Sequence, residues 1–270
     1  MGKIDMRRTE NSETLADQKT IVKEIRWPSL SRMEIQTLGA RIKDLTLSGV
    51  KILTTVPRGD GKEGSSHPCS PLFGPEINTH YNLPQHGTMR DSQCKVKENA
   101  KYLNTLALEC NVKGGFYPGV TVCQNFDLGS GLFTLETFHS VSAYNLSSRL
   151  IGVPVNFAEH LYWNAPKGHK GVKINGVDVT KMIEQDEIIE WLPRNKIEIP
   201  GIPTIILEQQ GLNFAQFWVG KNSAGEYDTN YVCIEPVEGD PKTGFFGSEK
   251  SLIKSAGMRQ TTIRINLEKS

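Results

Sequence analysis

The chain has 270 residues, of which 37% are hydrophobic and 23% charged, and its 31 basic and 30 acidic residues give a formal net charge of +1. This balance gives no electrostatic reason to expect nucleic acid or an anionic membrane as a partner. The length suits one large all-β domain or two ordinary domains. The sequence contains no run of about 18 apolar residues, so no transmembrane helix is predicted.

The first residues and the cysteines predict a cytoplasmic protein. Residues 1–20 are mostly polar and lack the apolar stretch of a secretory signal. We expect them to form a flexible lead-in to a single domain that spans residues 21–270. The five cysteines are odd in number and include no Cys-x-x-Cys pair, which favours free thiols over a disulfide framework.

From about residue 22 onward, short runs rich in β-branched residues are separated by turn residues. Alternation at spacing two predicts strands, and Asn175-Gly176 between β-forming residues predicts a hairpin. The helix candidate is residues 179–190. The predicted strands are 33–38, 41–47, 50–56, 133–145, 171–179, 204–208, 214–219, 231–235 and 261–267. Many short strands with little helix indicate an all-β sandwich or barrel.

A long segment, residues 57–91, has no predicted strand or helix and contains many glycines and prolines. Loops of this length are uncommon unless they serve a function or are partly structured. This one carries His67, His80 and His86, whose spacing matches no metal-ligand pattern. No metal or organic cofactor is therefore predicted.

Residues 154–164 form the most informative segment, because they alternate as a strand does. One face is apolar except for Glu159, and the other carries polar groups. The apolar residues are Val155, Phe157, Leu161 and Trp163, and the polar ones are Asn156, His160, Tyr162 and Asn164. An imidazole, a phenol and amides suit a polyhydroxylated ligand, and His160 can move a proton near neutral pH. The alternative is an inert histidine at a strand end.

Two further segments carry similar chemistry. His86 lies in a predicted turn between Pro84 and Gly87, and Arg90 offers a fork of donors that suits hydroxyls, a carboxylate or a phosphate. Glu235 ends an apolar strand, where partial burial would raise the pKa of its carboxyl toward that of a general base. Taken singly, each of these residues is more often an ordinary solvent-facing side chain.

Together, these segments resemble the aldose 1-epimerase (galactose mutarotase-like) superfamily. The resemblance rests on His-Gly followed by Arg at 86–90, on Pro-Val-Asn-x-x-x-His-x-Tyr-Trp-Asn at 154–164, and on Cys-Ile-Glu-Pro at 233–236. The order and spacing of these motifs also match, and the resemblance covers roughly residues 34–267. It implies a β-supersandwich of antiparallel sheets with few short helices and a carbohydrate cleft across one sheet.

The resemblance also implies a reaction, the interconversion of the α and β anomers of a hexose. Glu235 would take the proton of the C1 hydroxyl, His160 would protonate the ring oxygen, and His86 would hydrogen-bond the ring oxygen or a neighbouring hydroxyl. No metal or organic cofactor is needed. Further residues are expected to bind the sugar, namely Arg90, Asn156, Tyr162, His67 and Asp228.

One departure bears on the substrate. The glucose-6-phosphate epimerase branch of the superfamily has Arg-Gly-Gly before its proline-rich loop, whereas residues 64–68 read Gly-Ser-Ser-His-Pro here. The arginine that would bind the phosphate at this position is missing, which favours a free hexose over a phosphorylated one as the substrate. Arg58, Lys62 or Lys95 would have to replace it in a hexose-6-phosphate 1-epimerase.

Two other classes remain open. The first is a carbohydrate-binding or sensing module on the same fold without catalysis. The second is a sugar hydrolase or lyase, which needs two carboxylates such as Glu235 and Glu238. The expected partner is a small sugar, with no nucleic acid or membrane, and the protein is expected to be a monomer or homodimer.

Overall fold

The computed structural model describes most of the chain, namely residues 19–26, 28–59, 61–74, 81–97, 104–141, 152–243, 245 and 248–268. Residues 1–18 of the predicted lead-in lie outside this part, as does His80. The first strands are β1 Thr20–Ile25, β2 Ser31–Gln36, β3 Arg41–Leu47, β4 Val50–Thr54, β5 Val56–Pro57, β6 Glu63–Gly64, β7 His67–Cys69, β8 Lys95–Val96, β9 Thr105–Gly114, β10 Tyr117–Leu128 and β11 Leu132–Ser140.

The second half continues with short strands. They are β12 Val153–Pro154, β13 Ala158–His160, β14 Tyr162–Asn164, β15 Lys173–Ile174, β16 Val177–Asp178, β17 Ile188–Glu190, β18 Arg194–Glu198, β19 Ile205–Gln210, β20 Phe214–Trp218, β21 Tyr231–Val237, β22 Leu252–Ile253 and β23 Met258–Leu267. Helical segments are α1 Thr180–Glu184 and the 3₁₀ turns Met89–Asp91, Pro241–Thr243 and Glu249–Ser251. Of the described helices, none has the length and hydropathy to cross a membrane.

Two large sheets organise the strands. A ten-stranded sheet runs β1-β2-β3-β4-β14-β21-β13-β7, and β20 pairs with both β21 and β17. A nine-stranded sheet runs β16-β15-β18-β19-β23-β11-β10-β9-β8. The strand pairs of both sheets are antiparallel, as in β10 with β11 and β20 with β21. The prediction of an all-β fold of antiparallel sheets with few short helices is therefore confirmed.

The main core draws buried apolar side chains from both large sheets, which therefore pack against each other. Met33 and Ile35 of β2 belong to it, as do Phe126 of β10 and Ile265 of β23. These residues alternate with more exposed ones along each strand, which is the pattern of a sheet with one face against a core. Burial of each such side chain contributes about 1.5–3 kcal/mol.

The two faces of residues 154–164 separate as the alternation predicts. All four apolar side chains of that segment belong to the main core. Tyr162 instead belongs to a small cluster with Val56, Tyr231 and Cys233. The indole nitrogen of Trp163 donates a hydrogen bond to the carbonyl of Ile234 at 3.0 Å, which fixes β14 against β21. His160 and Tyr162 therefore lie on the face of the ten-stranded sheet that points away from the core.

The hairpin at Asn175-Gly176 is confirmed. Ile174 pairs with Val177, and both turn residues take positive φ, 52° and 81°. The segment 57–91 is partly structured rather than a plain loop, because β6, β7 and a 3₁₀ turn interrupt it.

The helix predicted for residues 179–190 is wrong beyond Glu184. Asp186 takes a left-handed conformation with φ 57°, which ends the helical path. The apolar pair Ile188 and Ile189 then extends as β17 and pairs with β20. Pairing with a neighbouring strand outweighs the helical preference of the acidic residues in this short segment.

The prediction that all cysteines are free thiols is also wrong. Cys94 and Cys110 form a disulfide, whereas Cys69, Cys123 and Cys233 are free. The cause is register: Lys95 lies opposite Glu109 in the pairing of β8 with β9, so Cys94 comes to lie opposite Cys110. The Cα atoms of the two cysteines are 4.4 Å apart. This disulfide removes one of the observations from which a cytoplasmic location is predicted.

Candidate active site

A cavity of about 700 Å³ lies over the ten-stranded sheet, on the face away from the core. Its volume is in the range of small-molecule sites. The residues predicted from sequence that line it are His67, His86, Arg90, His160, Tyr162 and Glu235. It also exposes basic and acidic side chains from loops around its rim.

Register places the central groups in one row across neighbouring strands. His67 of β7 lies opposite His160 of β13, and Gln216 of β20 lies opposite Glu235 of β21. Ala158 pairs with Val237 in antiparallel register, so His160, two residues after Ala158, lies opposite Glu235, two residues before Val237. A row of cross-strand neighbours on one face has side chains about 5 Å apart, which brings these four groups together.

His160 and Glu235 are in direct contact. The His160 Nε2 and Glu235 Oε1 atoms are 3.3 Å apart, and the two residues are 6% and 2% exposed. Burial raises the pKa of the Glu235 carboxyl well above its usual value, and the charge of Asp186 adds to this. Burial, with neighbouring histidines and arginines, lowers the pKa of His160. These opposite shifts favour the neutral form of each group, the protonated carboxyl of Glu235 and the neutral imidazole of His160.

His67 and His86 complete a cluster of three imidazoles. The His67 ring stacks on that of His160 with centroids 4.8 Å apart, and the His86 ring approaches His160 edge-on at 5.6 Å. Burial lowers the pKa of His67 to about 3 and that of His86 to about 4, so both are neutral near pH 7. His67 Nδ1 lies 2.8 Å from the carbonyl of Ser65. Nδ1 therefore carries the proton, and Nε2 is a buried acceptor without a hydrogen-bond partner among the described residues.

The turn that carries His86 is strained in a way that positions the ring. His86 and Gly87 both have positive φ, 63° and 70°. A Cβ at Gly87 would overlap the carbonyl of Ser70, so only glycine fits there. The 3₁₀ turn that follows brings Arg90 to the cavity, and its carbonyl accepts a hydrogen bond from Arg41 Nη2 at 3.0 Å.

Sequence reasoning missed several residues of this cavity. Trp218 forms one wall, and the guanidinium of Arg58 lies 5.0 Å from the centre of its ring. Asp186 lies at another wall and accepts hydrogen bonds from Gln216 Nε2 at its carboxylate, 2.6 Å, and its carbonyl, 2.7 Å. Alternation on the predicted strand 214–219 puts Gln216 and Trp218 on one face, but nothing in the sequence says that this face belongs to the site. No sequence pattern indicated that Asp186 belongs to the site, because it lies within the predicted helix 179–190.

Two predicted sugar ligands lie outside the cavity lining. The side-chain amide of Asn156 exchanges two hydrogen bonds with the backbone of Gly239, both at 3.1 Å. Asp228 accepts hydrogen bonds from the Tyr231 hydroxyl at 2.8 Å and from the Gly59 amide at 3.3 Å. Both side chains hold loops next to the site rather than facing into it.

Glu238 does not form a pair of cavity carboxylates with Glu235. It accepts hydrogen bonds from Arg259 at 3.2 Å and from the Phe157 amide at 3.0 Å, and is absent from the described lining. Within the described residues, the cavity therefore lacks the carboxylate pairing that a hydrolase on Glu235 and Glu238 requires.

No protein-family model and no curated protein matches this sequence. Solved structures do match. The Slr1438 protein from Synechocystis sp. PCC 6803 gives a TM-score of 0.70 at 15% identity, covering 100% of both chains. The galactose mutarotase related enzyme from Lactobacillus acidophilus gives 0.67 at 15% identity, covering 93% of this chain and 97% of its own. The galactose 1-epimerase from Lactobacillus acidophilus NCFM gives 0.64 at 10% identity, covering 98% and 99%. The chain therefore has the galactose mutarotase-like fold.

Proposed function

We propose that this chain is an aldose 1-epimerase-like isomerase, which interconverts the α and β anomers of a hexose. The observation that carries the proposal is the buried contact between His160 Nε2 and Glu235 Oε1 at 3.3 Å, on the floor of a cavity large enough for a sugar. The reaction needs an acid and a base at the C1–O5 unit of the sugar. A carboxyl and an imidazole that share one proton supply both.

The His160–Glu235 pair ends the reaction with the same number of protons with which it began. The shared proton first moves from Glu235 to His160. Glu235 then takes the proton of the C1 hydroxyl, the C1–O5 bond breaks as the C1 carbonyl forms, and His160 gives its proton to O5. Rotation about C1–C2 and closure with the roles reversed give the other anomer. The pair holds one proton before and after each half of the cycle. Sugar hydroxyls that donate to the Glu235 carboxylate favour the charged form with which ring opening begins.

The rest of the cavity suits a neutral polyol. Trp218 offers a flat ring against which a sugar can lie. Arg90, Asp186 and Gln216 supply donors and acceptors for hydroxyls, and neutral His86 can donate to the ring oxygen or an adjacent hydroxyl. The sugar-binding aspartate is then Asp186, which lines the cavity, rather than Asp228, which does not.

A hexose phosphate is the second candidate substrate, and one observation favours it. Arg58 and Lys62 both line the cavity, whereas Lys95 does not line it. Both cations can bind a phosphate group of a substrate in the cavity, although the Arg-Gly-Gly motif of the phosphate-binding branch is missing.

Anomer-exchange NMR on a panel of free and phosphorylated aldoses tests the proposal. We expect the protein to accelerate exchange of at least one free hexose. Acceleration confined to phosphorylated sugars would move the substrate to the second candidate. Saturable sugar binding without acceleration would instead identify a binding or sensing module, and the isomerase proposal would then fail.

A further inference from the structure

Cys233 is a buried free thiol for which the proposed reaction has no use. It lies on β21 two residues before Glu235, so both side chains leave the same face of the strand. Tyr162 and Trp218 flank it on the neighbouring strands. Ligand atoms of His160, Cys233 and Glu235 all lie within 4.8 Å of one another, and all three residues are buried.

These three groups form a ligand set that zinc accepts. Zinc binds imidazole nitrogen and carboxylate oxygen at about 2.0–2.2 Å and thiolate sulfur at about 2.3 Å in tetrahedral geometry, which places ligand atoms roughly 3.5 Å apart. The 3.3 Å between His160 Nε2 and Glu235 Oε1 already fits. The Cys233 sulfur lies within 4.8 Å of both atoms and has to move closer to complete the set. Hard cations such as Mg²⁺ prefer oxygen ligands and do not suit this set.

We propose that His160, Cys233 and Glu235 form a three-ligand site for a thiophilic divalent cation of the zinc type, and that the bound cation blocks the sugar reaction. Binding releases the thiol proton of Cys233 and the proton of the His160–Glu235 pair to solvent. His160 and Glu235 line the cavity, whereas Cys233 does not, so a cation held by all three would lie at the cavity wall. The metal then occupies the lone pairs through which the proton transfer would run.

The surroundings favour a reversible inhibitor over a resident metal. Ligating histidines usually donate their second ring nitrogen to an acceptor, and loss of that acceptor costs about 10–100-fold in affinity. In the described part of the chain, His160 Nδ1 has no hydrogen-bond partner. The site is therefore expected to bind zinc more weakly than a structural zinc site does.

Metal binding is tested without reference to activity. Metal-free protein without a histidine tag is titrated with Zn²⁺ against a chromophoric chelator, and Co²⁺ is added separately as a spectroscopic probe. We expect one Zn²⁺ per chain, a thiolate-to-cobalt charge-transfer band, and at least a tenfold loss of affinity in Cys233→Ser. Cys123→Ser, which removes a free thiol of the other sheet, should change neither result.

Absence of saturable Zn²⁺ binding, or an unchanged affinity in Cys233→Ser, would overturn the site. Should the serine variant fail to fold, Cys233→Ala and the cobalt spectrum of the wild-type protein decide the matter. A wild-type spectrum without a thiolate band contradicts the assignment.

Inhibition by the bound cation is tested in a separate experiment, because this part of the proposal rests on the proposed function. We expect Zn²⁺ to slow anomer exchange by the wild-type protein and Mg²⁺ to leave it unchanged. The exchange rate of each protein in Zn²⁺ is divided by its own metal-free rate. By this measure, Cys233→Ser should lose much less activity than the wild-type protein. Bound zinc with full exchange activity would overturn the blocking role. If no sugar is turned over at all, the proposed function fails while the binding arm still reports on the site.

Discussion

At the scale of single residues, the site depends on two groups whose environments push their proton affinities in opposite directions. Burial raises the pKa of Glu235 and lowers that of His160. Each shift alone would leave an inert neutral group in the sheet. Placed in contact, they form a pair that can give one proton and accept another without a change in its net charge, which is what anomer exchange requires.

Replacement of His160 by glutamine tests this assignment. The amide keeps a hydrogen-bonding group of similar size but cannot carry a proton, so we expect kcat to fall by about 10²–10⁴-fold. His169 is the matched control, because it too is buried and contacts a carboxylate, Glu184, at 3.1 Å, but outside the cavity. His169→Gln should keep the wild-type rate, as followed by polarimetry. Equal rates in the two variants would remove His160 from the mechanism.

Sequence reasoning was strongest where a residue's neighbours in the chain determine its setting. The alternation around His160 placed that ring opposite an apolar face. The prediction that the strand ends at Glu235 is wrong, because β21 continues through Pro236, opposite Ala215, to Val237. Sequence reasoning was weakest for groups whose role depends on contacts distant in sequence. Asp186 lines the cavity at a point where its own left-handed conformation turns the chain. Asn156 bonds to Gly239, which is 83 positions away in the sequence.

At the scale of elements, antiparallel register assembles the site. β7, β13, β21 and β20 are neighbours in one sheet although they come from distant parts of the chain. Each contributes one side chain to the row that contains His160 and Glu235. Sequence pattern identifies such strands one at a time, but it does not give their order in the sheet. The order had to come from the structure, whereas the Asn175-Gly176 hairpin, a local feature, was predicted correctly.

The disulfide between Cys94 and Cys110 ties the segment after Arg90 to β9 of the other sheet. It closes a loop with a sequence separation of 16, and a loop of that size is expected to stabilise the fold by about 3 kcal/mol. Cys94→Ser combined with Cys110→Ser should lower the free energy of unfolding by about that amount, measured by urea denaturation without reductant. Cys123→Ser serves as the control. An unchanged midpoint in the double variant would show that the crosslink adds no stability.

At the scale of the whole molecule, the fold buries several histidines and glutamates. Burial lowers the pKa of His67 and His139 to about 3 and that of His86 to about 4. Burial also raises the pKa of Glu159 to about 8 and that of Glu238 to about 7. The two kinds of group change the free energy of unfolding with pH in opposite directions. The histidines lose a proton on folding below about pH 6.5, whereas the carboxyls take one up on folding above about pH 4.5.

These shifts predict a maximum of stability near pH 6.5. Below that value the unfolded histidines bind more protons than the folded ones, so stability rises with pH until their unfolded pKa of 6.5 is passed. The carboxyls act in the opposite sense, because Glu159 stays protonated up to about pH 8 when folded but ionises near 4.5 when unfolded. Above pH 6.5 only the carboxyls act, so the free energy of unfolding should fall by about 1.4 kcal/mol per pH unit per group.

Urea denaturation at about pH 6.5 and about pH 8 measures this fall. Glu159→Gln should make it smaller, because glutamine keeps the hydrogen bond with Gln124 and cannot ionise. Glu190→Gln, at an exposed position of β17, should leave it unchanged. Stability that rises between the two pH values in the wild-type protein would contradict the burial of these carboxyls.

The central claim is that Glu235 and His160 exchange protons with a bound sugar. The most direct measurement is anomer-exchange NMR of the wild-type protein and of Glu235→Gln on the hexose that the wild-type protein turns over fastest. We predict acceleration by the wild-type protein, and exchange at the uncatalysed rate in the variant with its folded NMR spectrum retained. Full activity in Glu235→Gln would contradict the account.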